Sequence, residues 1–568
     1  MTEACPTPLR GPRRFGPWWI AALAVASMAA LSWNLEALSG WNGFAAAWDR
    51  LRTYVGAFTA PDLSWPMLAL CSTLTLETLS VAVLGVACGL MLGYPLALGA
   101  CRCLVVGEEP APRPVRWLQV GVLEACRFTL DVLRGVPDIA WAIVLANLTG
   151  VNAITGVLAI GISTAGIFGK VLSEQWDNVD PARYAAVRSS GATRSQTFFY
   201  AVQPLAARAT LSFLLMRTEC AVRNASVIGV VGGGGLGAQL WDEYTDGSWS
   251  RVATVLLALL AVTATTDLVS NLVRQRLRVD PNHPRRQGAI DRSRQGWRRV
   301  QVLGSVLALV AAAAWSLTPA MVAVAAELQR IDWEFAAPYT LGLFTPDLSP
   351  AALGSALRHA VVPVAIGLLA TVAGAALAAL LVYPASVAFQ LEPHRFLGEN
   401  PPTHTRILRG LALVATRGLA LVWRGVPEVA WVIVLAVFFR MGVTPCVLAV
   451  ALHSAGVLHR VFTETVDNLD YRRLERTGGT CRAQVFMYGA LPRVWPDWRT
   501  YAFFQFEVNV RLGIALGVVG AGGLGHMFKM NLDWRQHGGA ATYLWAMIVL
   551  TIAIDRLSRW LQLTRLRC

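Results

Sequence analysis

Two acid–arginine pairs lie inside otherwise apolar stretches of the sequence. Glu219 precedes Arg223 by four positions, and Glu507 precedes Arg511 by the same spacing. A charge inside a bilayer costs about 2.5–3.5 kcal/mol on insertion scales, and an opposite charge four positions along a helix offsets part of that cost. Each pair could simply neutralise itself and lock helices together. Alternatively, the two guanidinium groups could face a pathway and attract a small oxyanion, because the arginine fork matches two phosphate or phosphonate oxygens.

Two further arginines open a repeated run of residues. Arg134-Gly-Val-Pro-Asp138 returns later as Arg424-Gly-Val-Pro-Glu428. Proline lacks a backbone N–H and clashes with the preceding turn, so each run predicts a break in a helix. Arg134 and Arg424 are therefore weaker pathway candidates, since a position at a helix break already explains them.

Two glycine runs, residues 230–237 and 518–525, match the dinucleotide-binding pattern G-x-G-x-x-G in form only. That pattern needs a preceding strand within an alternating αβ unit, whereas apolar spans flank both runs here. Glycine also lets two backbones approach closely, which favours a tightly packed turn near a gate. The candidate gate residues are Gly234, Gly235, Gly522 and Gly523.

Composition places the chain in a membrane. It has 568 residues, of which 55% are hydrophobic and 15% are charged, whereas soluble domains carry about 25% charged residues. The net charge is +14. The arginines stand between apolar stretches, which is typical of loops on the cytoplasmic side and not of a nucleic-acid surface. Cys101-Arg-Cys103 is too closely spaced for a zinc site and has no partner pair.

Hydropathy predicts an all-α polytopic membrane protein with about twelve transmembrane helices in two parallel six-helix repeats. Residues 1–273 form the first copy, 274–299 a basic cytoplasmic linker and 300–568 the second copy. Arginines before Trp18 and after residue 555 place both termini in the cytoplasm. The predicted spans are residues 18–33, 67–99, 120–148, 152–173, 205–231, 252–273, 300–318, 355–388, 409–438, 446–462, 493–519 and 541–560.

The repeat keeps its register along the chain. Arg424 minus Arg134 is 290, and Glu507 minus Glu219 is 288, so two residues are lost in between. The shortened region is a polar segment, residues 174–204 in the first copy, which predicts a helix–turn–helix in the cytoplasm. Asp180 and Thr193 are expected to cap its two short helices. Its repetition favours docking to another protein over an ordinary connecting loop.

This segment resembles the coupling loop of ABC-importer permeases of type I, with a central glycine followed by a proline thirteen residues later. The Arg-Gly-Val-Pro-Asp/Glu runs, the Ala-Gly pairs at 165–166 and 455–456, and the glycine runs more narrowly resemble the phosphonate-importer permease family. The first copy departs at Ala221, where the second has Asn509. The two docking surfaces also differ, because Leu474-Glu475-Arg476 replaces Tyr184-Ala-Ala. The expected coupling residues are Tyr184, Ala185, Ala186, Gly191, Arg194, Pro204, Leu474, Glu475, Gly479, Arg482 and Pro492.

The resemblance implies the permease subunit of an importer in the bacterial inner membrane, with no covalent chemistry and no cofactor or metal of its own. ATP and magnesium would bind two copies of a separate cytoplasmic ATPase. An external binding protein would deliver phosphonate or a related phosphorus oxyanion. Phosphite, a phosphate ester or even an amino acid could take the place of phosphonate as substrate. No nucleic acid is expected as a partner.

Two other classes of protein fit the sequence less well. A secondary transporter predicts buried carboxylates that titrate alone, whereas most here have an arginine nearby in sequence. A membrane-embedded enzyme needs a nucleophile, base or metal cluster at one depth, and His359, His453 and His459 lack such spacing. Gly169-Lys170 lacks the flanking residues of a phosphate-binding P-loop.

Overall fold

The computed structural model describes residues 56, 59–107, 112–277, 308–329, 333–391, 402–439, 441–469 and 482–566. Regular structure within these ranges is entirely helical. The first copy contains the helices α1 (Trp65–Ala100), α2 (Arg102–Val105), α3 (Arg113–Gly135), α4 (Asp138–Thr149), α5 (Ala153–Asp177), α6 (Ala185–Ser189), α7 (Arg194–Thr197), α8 (Gln203–Ile228), α9 (Gly235–Thr245) and α10 (Trp249–Leu277).

The second copy repeats this order. Its helices are α11 (Thr318–Gln329), α12 (Trp333–Gly342), α13 (Pro350–Ala385), α14 (Val387–Gln390), α15 (Thr403–Gly425), α16 (Glu428–Phe439), α17 (Val443–Asp467), α18 (Arg482–Gln484), α19 (Leu491–Leu516), α20 (Gly523–Asp533) and α21 (His537–Leu566). Corresponding helices have equal lengths: 36 residues in α1 and α13, 23 in α3 and α15, 25 in α5 and α17, and 26 in α8 and α19. The internal repeat is therefore a repeat of structure.

Seven helices of the described residues are long and apolar enough to cross a membrane, or nine if two bent pairs each count as one span. This agrees with a polytopic helical protein, while the number twelve stays a prediction. The expected first span, residues 18–33, and the first part of the seventh, residues 300–307, lie outside the described residues, as does the linker beyond Leu277.

Each predicted third span, residues 120–148 and 409–438, is broken at its Val-Pro step, as the two proline runs predicted. In the second copy α15 and the following helix meet at 92°. In the first copy, α3 ends before Val136, whose backbone is extended. Proline cannot donate the next helical hydrogen bond and disfavours helix at the residue before it, so the chain turns at both Val-Pro steps.

One buried cluster joins the two copies. It contains Val136 and Ile139 of the first copy together with Met547 and Ile548 of the second. Helix α21 packs against α3, and α10 packs against α15 in the matching place. Two further buried clusters are separate from it: one lies in the first copy together with Leu317 of the second, and the other lies wholly in the second copy. The two copies therefore share their central contact.

Candidate translocation and coupling site

Arg134 stands at the centre of an ion network between the two copies. Its Nε donates to Asp131 Oδ1 at 3.0 Å, and its Nη2 lies 2.8 Å from Asp555 Oδ2. Its Nη1 lies 3.6 Å from Glu507 Oε1. Lys170 joins the network, with Nζ 3.2 Å from Asp131 and 3.2 Å from Asp555. Helices α19 and α21 supply Glu507 and Asp555, so the second copy provides two of the three carboxylates.

Arg424 of the second copy makes the matching contacts with carboxylates of the first copy. It donates to Asp267 of α10, and its Nη1 lies 3.6 Å from Glu219 Oε1 of α8. The sequence explained Arg134 and Arg424 by their position at a helix break. The structure shows in addition that both arginines join the two copies through ion pairs. The sequence interpretation missed Asp267 and Asp555. Their separation, 555 minus 267, is 288, which equals the offset between Glu219 and Glu507 and could have revealed them.

The two acid–arginine pairs of the sequence are not equivalent in the structure. Glu507 and Arg511 form the expected pair between positions four apart. Glu219 instead lies beside Arg424. Arg223 makes no ion pair within the described part of the chain, and its buried Nε has no hydrogen-bond partner there.

Small residues allow the arginines to reach this interface. A Cβ on Gly166 would lie 2.5 Å from the backbone nitrogen of Arg134. A Cβ on Gly456 would lie 2.7 Å from the backbone nitrogen of Arg424. Because van der Waals packing drives helix association in lipid, glycine permits the close approach of α5 to α3 and of α17 to α15. The glycines of the two Ala-Gly pairs thus let the backbone of each arginine lie directly against the neighbouring helix.

The acids after the two Val-Pro steps are held by different partners. Asp138 accepts hydrogen bonds from the Ser163 hydroxyl and from Asn224 Nδ2, the latter at 2.5 Å. Glu428 lies 3.0 Å from His453 Nε2. Each acid begins a helix, where the exposed N–H groups favour negative charge.

Both glycine runs form a sharp break between two helices. Gly234 and Gly235 have φ of 74° and 70°, and Gly522 and Gly523 have φ of 81° and 74°. These angles lie in the left-handed region, which glycine adopts without strain. Leu236 donates its backbone N–H to Thr78 Oγ1 of α1 at 3.0 Å. The breaks therefore pack against the long second span of their copy, and a role as gate stays a prediction.

The polar segment of the first copy folds as two short helices. Asp180 accepts from the Ala182 N–H, and Thr193 forms a capping box with Gln196. Gly191, with φ of 83°, ends α6. Ala185 and Ala186 are exposed, Tyr184 is half-buried and Pro204 begins α8. The exposed alanines present small side chains on the first helix, which also carries the exposed Arg188.

Arg194 does not face outward from this segment. Its Nη1 donates to the carbonyl of Val106, after α2, at 3.0 Å. In the second copy, Arg482 is 5% exposed and donates to the Phe389 carbonyl of α14 at 2.8 Å. Both arginines therefore tie the polar segment to the end of the long second span. Leu474, Glu475 and Gly479 lie outside the described residues, while Pro492 stands in the first turn of α19.

Cys101, Cys103 and Asp177 lie close enough together to suggest a metal site. However, Asp177 already accepts from the backbone N–H groups of Arg102 and Cys103 and lies 3.2 Å from Arg127.

The second copy builds the same arrangement without sulfur. Asp467 accepts from the Ser386 hydroxyl at 2.5 Å and from the Ala388 N–H at 3.3 Å, and it pairs with Arg417 at 3.1 Å. The carboxylate thus caps a short helix in both copies, which explains the cysteine cluster without a metal.

Comparison with known proteins gives the family. The model of the binding-protein-dependent transport system inner membrane component family matches twice, at residues 124–279 and 410–564. The chain is 28% identical to the phosphate-import permease protein PhnE of Mycolicibacterium smegmatis, over 86% of this chain and 84% of that protein. It is 30% identical to the phosphite transport system permease protein PtxC of Stutzerimonas stutzeri, over 35% of this chain and 68% of that protein.

A third relative matches a shorter part. The putative cryptic phosphonate transport system permease protein of Escherichia coli is 29% identical, over 21% of this chain and 98% of that protein. The family model matches the chain twice, its helices are apolar, and a relative is similar to it along most of its length. These findings lead to one assignment. The chain belongs to the binding-protein-dependent transport system inner membrane component family: it is a multi-pass permease of an ABC importer, not itself catalytic, that works with an ATPase and a binding protein.

Proposed function

We propose that this chain carries phosphonate, or a related phosphorus oxyanion such as phosphite or phosphate, across the inner membrane. The observation that carries the proposal is the set of buried arginines at the contact between the copies, of which Arg134 and Arg424 reach across it. Arginine is the side chain best suited to phosphorus oxyanions, because it stays charged and binds two oxygens at once. The names of the relatives refer to phosphate, phosphite and phosphonate, which supports the same class of substrate.

The pathway runs between the two copies in this proposal. Residues 1–273 and 300–568 act as the two halves, joined by residues 274–299. Arg223 and Arg511 face the pathway, and the glycine breaks at Gly234–Gly235 and Gly522–Gly523 act as its gate. Arg134, Arg424, Glu219 and Glu507 hold the halves in register. Parallel repeats with a substrate route at their interface are a common design of transporters.

Two copies of the ATPase drive the cycle, each bound to one coupling segment. The exposed Ala185 and Ala186 support docking of the first segment into a groove. Residues 470–492 supply the second docking surface, with Leu474 and Glu475 in place of Tyr184 and Ala185, and with Gly479 where the first copy has Gly191. Both termini and both segments are cytoplasmic. An external binding protein delivers the substrate on the opposite face.

Uptake by the reconstituted complex tests this function. The chain, its ATPase and its binding protein are placed together in liposomes with ATP inside, and uptake of methylphosphonate, phosphite and phosphate is measured. We expect ATP-dependent uptake of at least one of the three that requires the binding protein. Uptake without ATP would overturn the proposal in favour of a secondary transporter. If the complex took up an amino acid and none of these anions, the proposal of an ATP-driven importer would stand and the proposed substrate class would be wrong.

A further inference from the structure

The buried charges at the contact between the copies are distributed unequally. The network around Arg134 contains equal numbers of acids and bases. Its three carboxylates are those of Asp131, Glu507 and Asp555. Its three cations are Arg134, Lys170 and Arg511. Around Arg424, the corresponding cations are Arg424, Arg460 and Arg223, but position 421 is a leucine where the first copy has Asp131. The offset of 290 residues that relates Arg134 to Arg424 also relates Asp131 to Leu421.

The missing carboxylate changes how the others pair. In the first network Arg134 has close contacts with Asp131 and Asp555, so Glu507 lies nearer to Arg511 than to Arg134. In the second network Arg424 lacks a carboxylate from its own helix. Asp267 and Glu219 are both within ion-pairing distance of Arg424.

Arg223 is left without an ion pair among the described residues. It is 8% exposed, and its Nε is buried without a hydrogen-bond partner there. The Nε of Arg511 is in the same condition, so the two arginines differ in the ion pair that Arg511 makes with Glu507. The groups that face it at longer range are Glu219, Arg424 and the Glu428–His453 pair. Arg460, which also belongs to this network, pairs with the exposed Glu464 of its own helix at 3.2 Å. Because Glu219 lies beside Arg424, the charge of the buried Arg223 guanidinium is only partly compensated, and this position is suited to an incoming anion.

We infer that the anion-binding position of the pathway is one-sided: Arg223 binds the anion, whereas Arg511, which also faces the pathway in the proposed function, is held by Glu507 as a structural cation. The inference rests on the proposed function, since the anion it concerns is the phosphorus oxyanion that the importer carries. It adds that the two halves are not interchangeable. Because Leu421 stands where the first copy has the carboxylate of Asp131, Glu219 stays beside Arg424, and Arg223 remains available to the anion.

The test compares single variants of the full complex in liposomes. Arg223→Gln should lower uptake of phosphite, phosphate or methylphosphonate by about tenfold or more, while ATP hydrolysis stimulated by the binding protein continues. Arg223→Lys should keep part of the uptake, because it keeps the charge. Arg511→Gln should lower uptake less than Arg223→Gln does and should mainly lower thermal stability. Exposed Arg116→Gln serves as the matched control for loss of one arginine charge.

Leu421→Asp supplies the second, independent variant. Leu421 is 37% exposed, so an aspartate at this position is not enclosed in the buried core. The new carboxylate should pair with Arg424, release Glu219 towards Arg223 and lower uptake without removing any arginine. Thermal stabilisation of the purified complex by millimolar phosphite, over chloride at equal ionic strength, should vanish in this variant and in Arg223→Gln.

The outcomes separate the two proposals. If the unaltered complex takes up none of the three anions, the proposed function fails. If it takes them up and Arg511→Gln is as damaging as Arg223→Gln, or Leu421→Asp has full uptake, the one-sided site is wrong and the proposed function stands. If Arg223→Gln does not assemble, Leu421→Asp and Arg223→Lys decide.

Discussion

Arg134 of the first copy and Asp555 of the second meet at 2.8 Å, with side chains only 7% and 8% exposed. The mirror relationship joins Arg424 to Asp267. Each copy thus gives an arginine to its partner and receives one in return. In a bilayer the apolar faces of the copies gain little by leaving lipid, so such polar contacts and close packing must specify the register of the two halves.

Removing Arg134 should weaken the assembly of the halves. Arg134→Gln leaves Asp555 and Asp131 partly uncompensated, and loss of one partner from a buried ion pair costs about 3–5 kcal/mol. The Tm of the purified protein in detergent should fall markedly. Arg134→Gln combined with Asp555→Asn should cost less than the sum of the single changes, and the exposed Arg116→Gln should leave Tm unchanged. Simple additivity of the two changes would contradict the contact.

The two Ala-Gly pairs should not accept a larger residue. Gly166→Ala and Gly456→Ala place a methyl group 2.5 Å and 2.7 Å from the backbone nitrogens of Arg134 and Arg424. Overpacking of this kind costs about 1–3 kcal/mol.

For each of these glycines, a second glycine on the helix that it contacts serves as the control for the substitution. A methyl group added at Gly121 on α3 or at Gly418 on α15 would enter open space. Their change to alanine should be neutral or stabilising by about 0.5–1 kcal/mol, because glycine weakens a helix interior. Thermal unfolding of the four variants measures this, and equal effects at all four positions would refute the packing argument.

Arg194 and Arg482 should act by anchoring the coupling segments. Alanine at either position leaves a carbonyl, of Val106 or Phe389, without its charged donor, and such a hydrogen bond contributes about 1.5–3 kcal/mol. We expect less ATPase bound per permease in a pull-down and faster proteolysis within the segment. Exposed Arg183→Ala, in the same segment, tests charge alone. If Arg183→Ala releases the ATPase equally, surface charge and not anchoring holds the partner.

Cys101 should remain an unreactive thiol. Its hydrogen bond with Cys103, its burial and the neighbouring Asp177 all raise its pKa above the usual value. A raised pKa means that a smaller fraction of the thiol is ionised at any given pH. Maleimide labelling of Cys101 should therefore stay slow from about pH 7 to about pH 9, the range over which an ordinary thiol ionises.

Substitution gives a second measurement at the same place. Cys101→Ser should preserve stability, because the second copy uses Ser386 to donate to Asp467 in the same cap. Asp177→Asn should destabilise, since it removes the charge opposite Arg127. Rapid labelling at neutral pH, or zinc retained by the protein but lost in Cys101→Ser, would show that the cluster is more than a cap.

The amino-acid sequence by itself determined the class of protein, the duplication and the location of the polar helical segment that we propose binds the ATPase. Hydropathy, proline placement and the offsets of 290 and 288 residues are properties of position along the chain, so they need no knowledge of distant contacts. The caps at Asp180 and Thr193 were predictable for the same reason, because a cap depends on residues two or three positions away.

Only the tertiary structure decided which charges meet. Reasoning over four helical positions paired Glu219 with Arg223, but Glu219 turns to Arg424 in the other copy. It also left Arg134 and Arg424 as residues of a helix break, and it did not predict the hydrogen bond from Arg194 to the Val106 carbonyl. Ion pairing depends on distance in space, and a carboxylate that packing brings from another helix competes with one nearby in sequence. Leu421, which stands where the first copy has Asp131, illustrates the same principle in our inference, because we infer that the absent carboxylate affects Arg223 in the other copy.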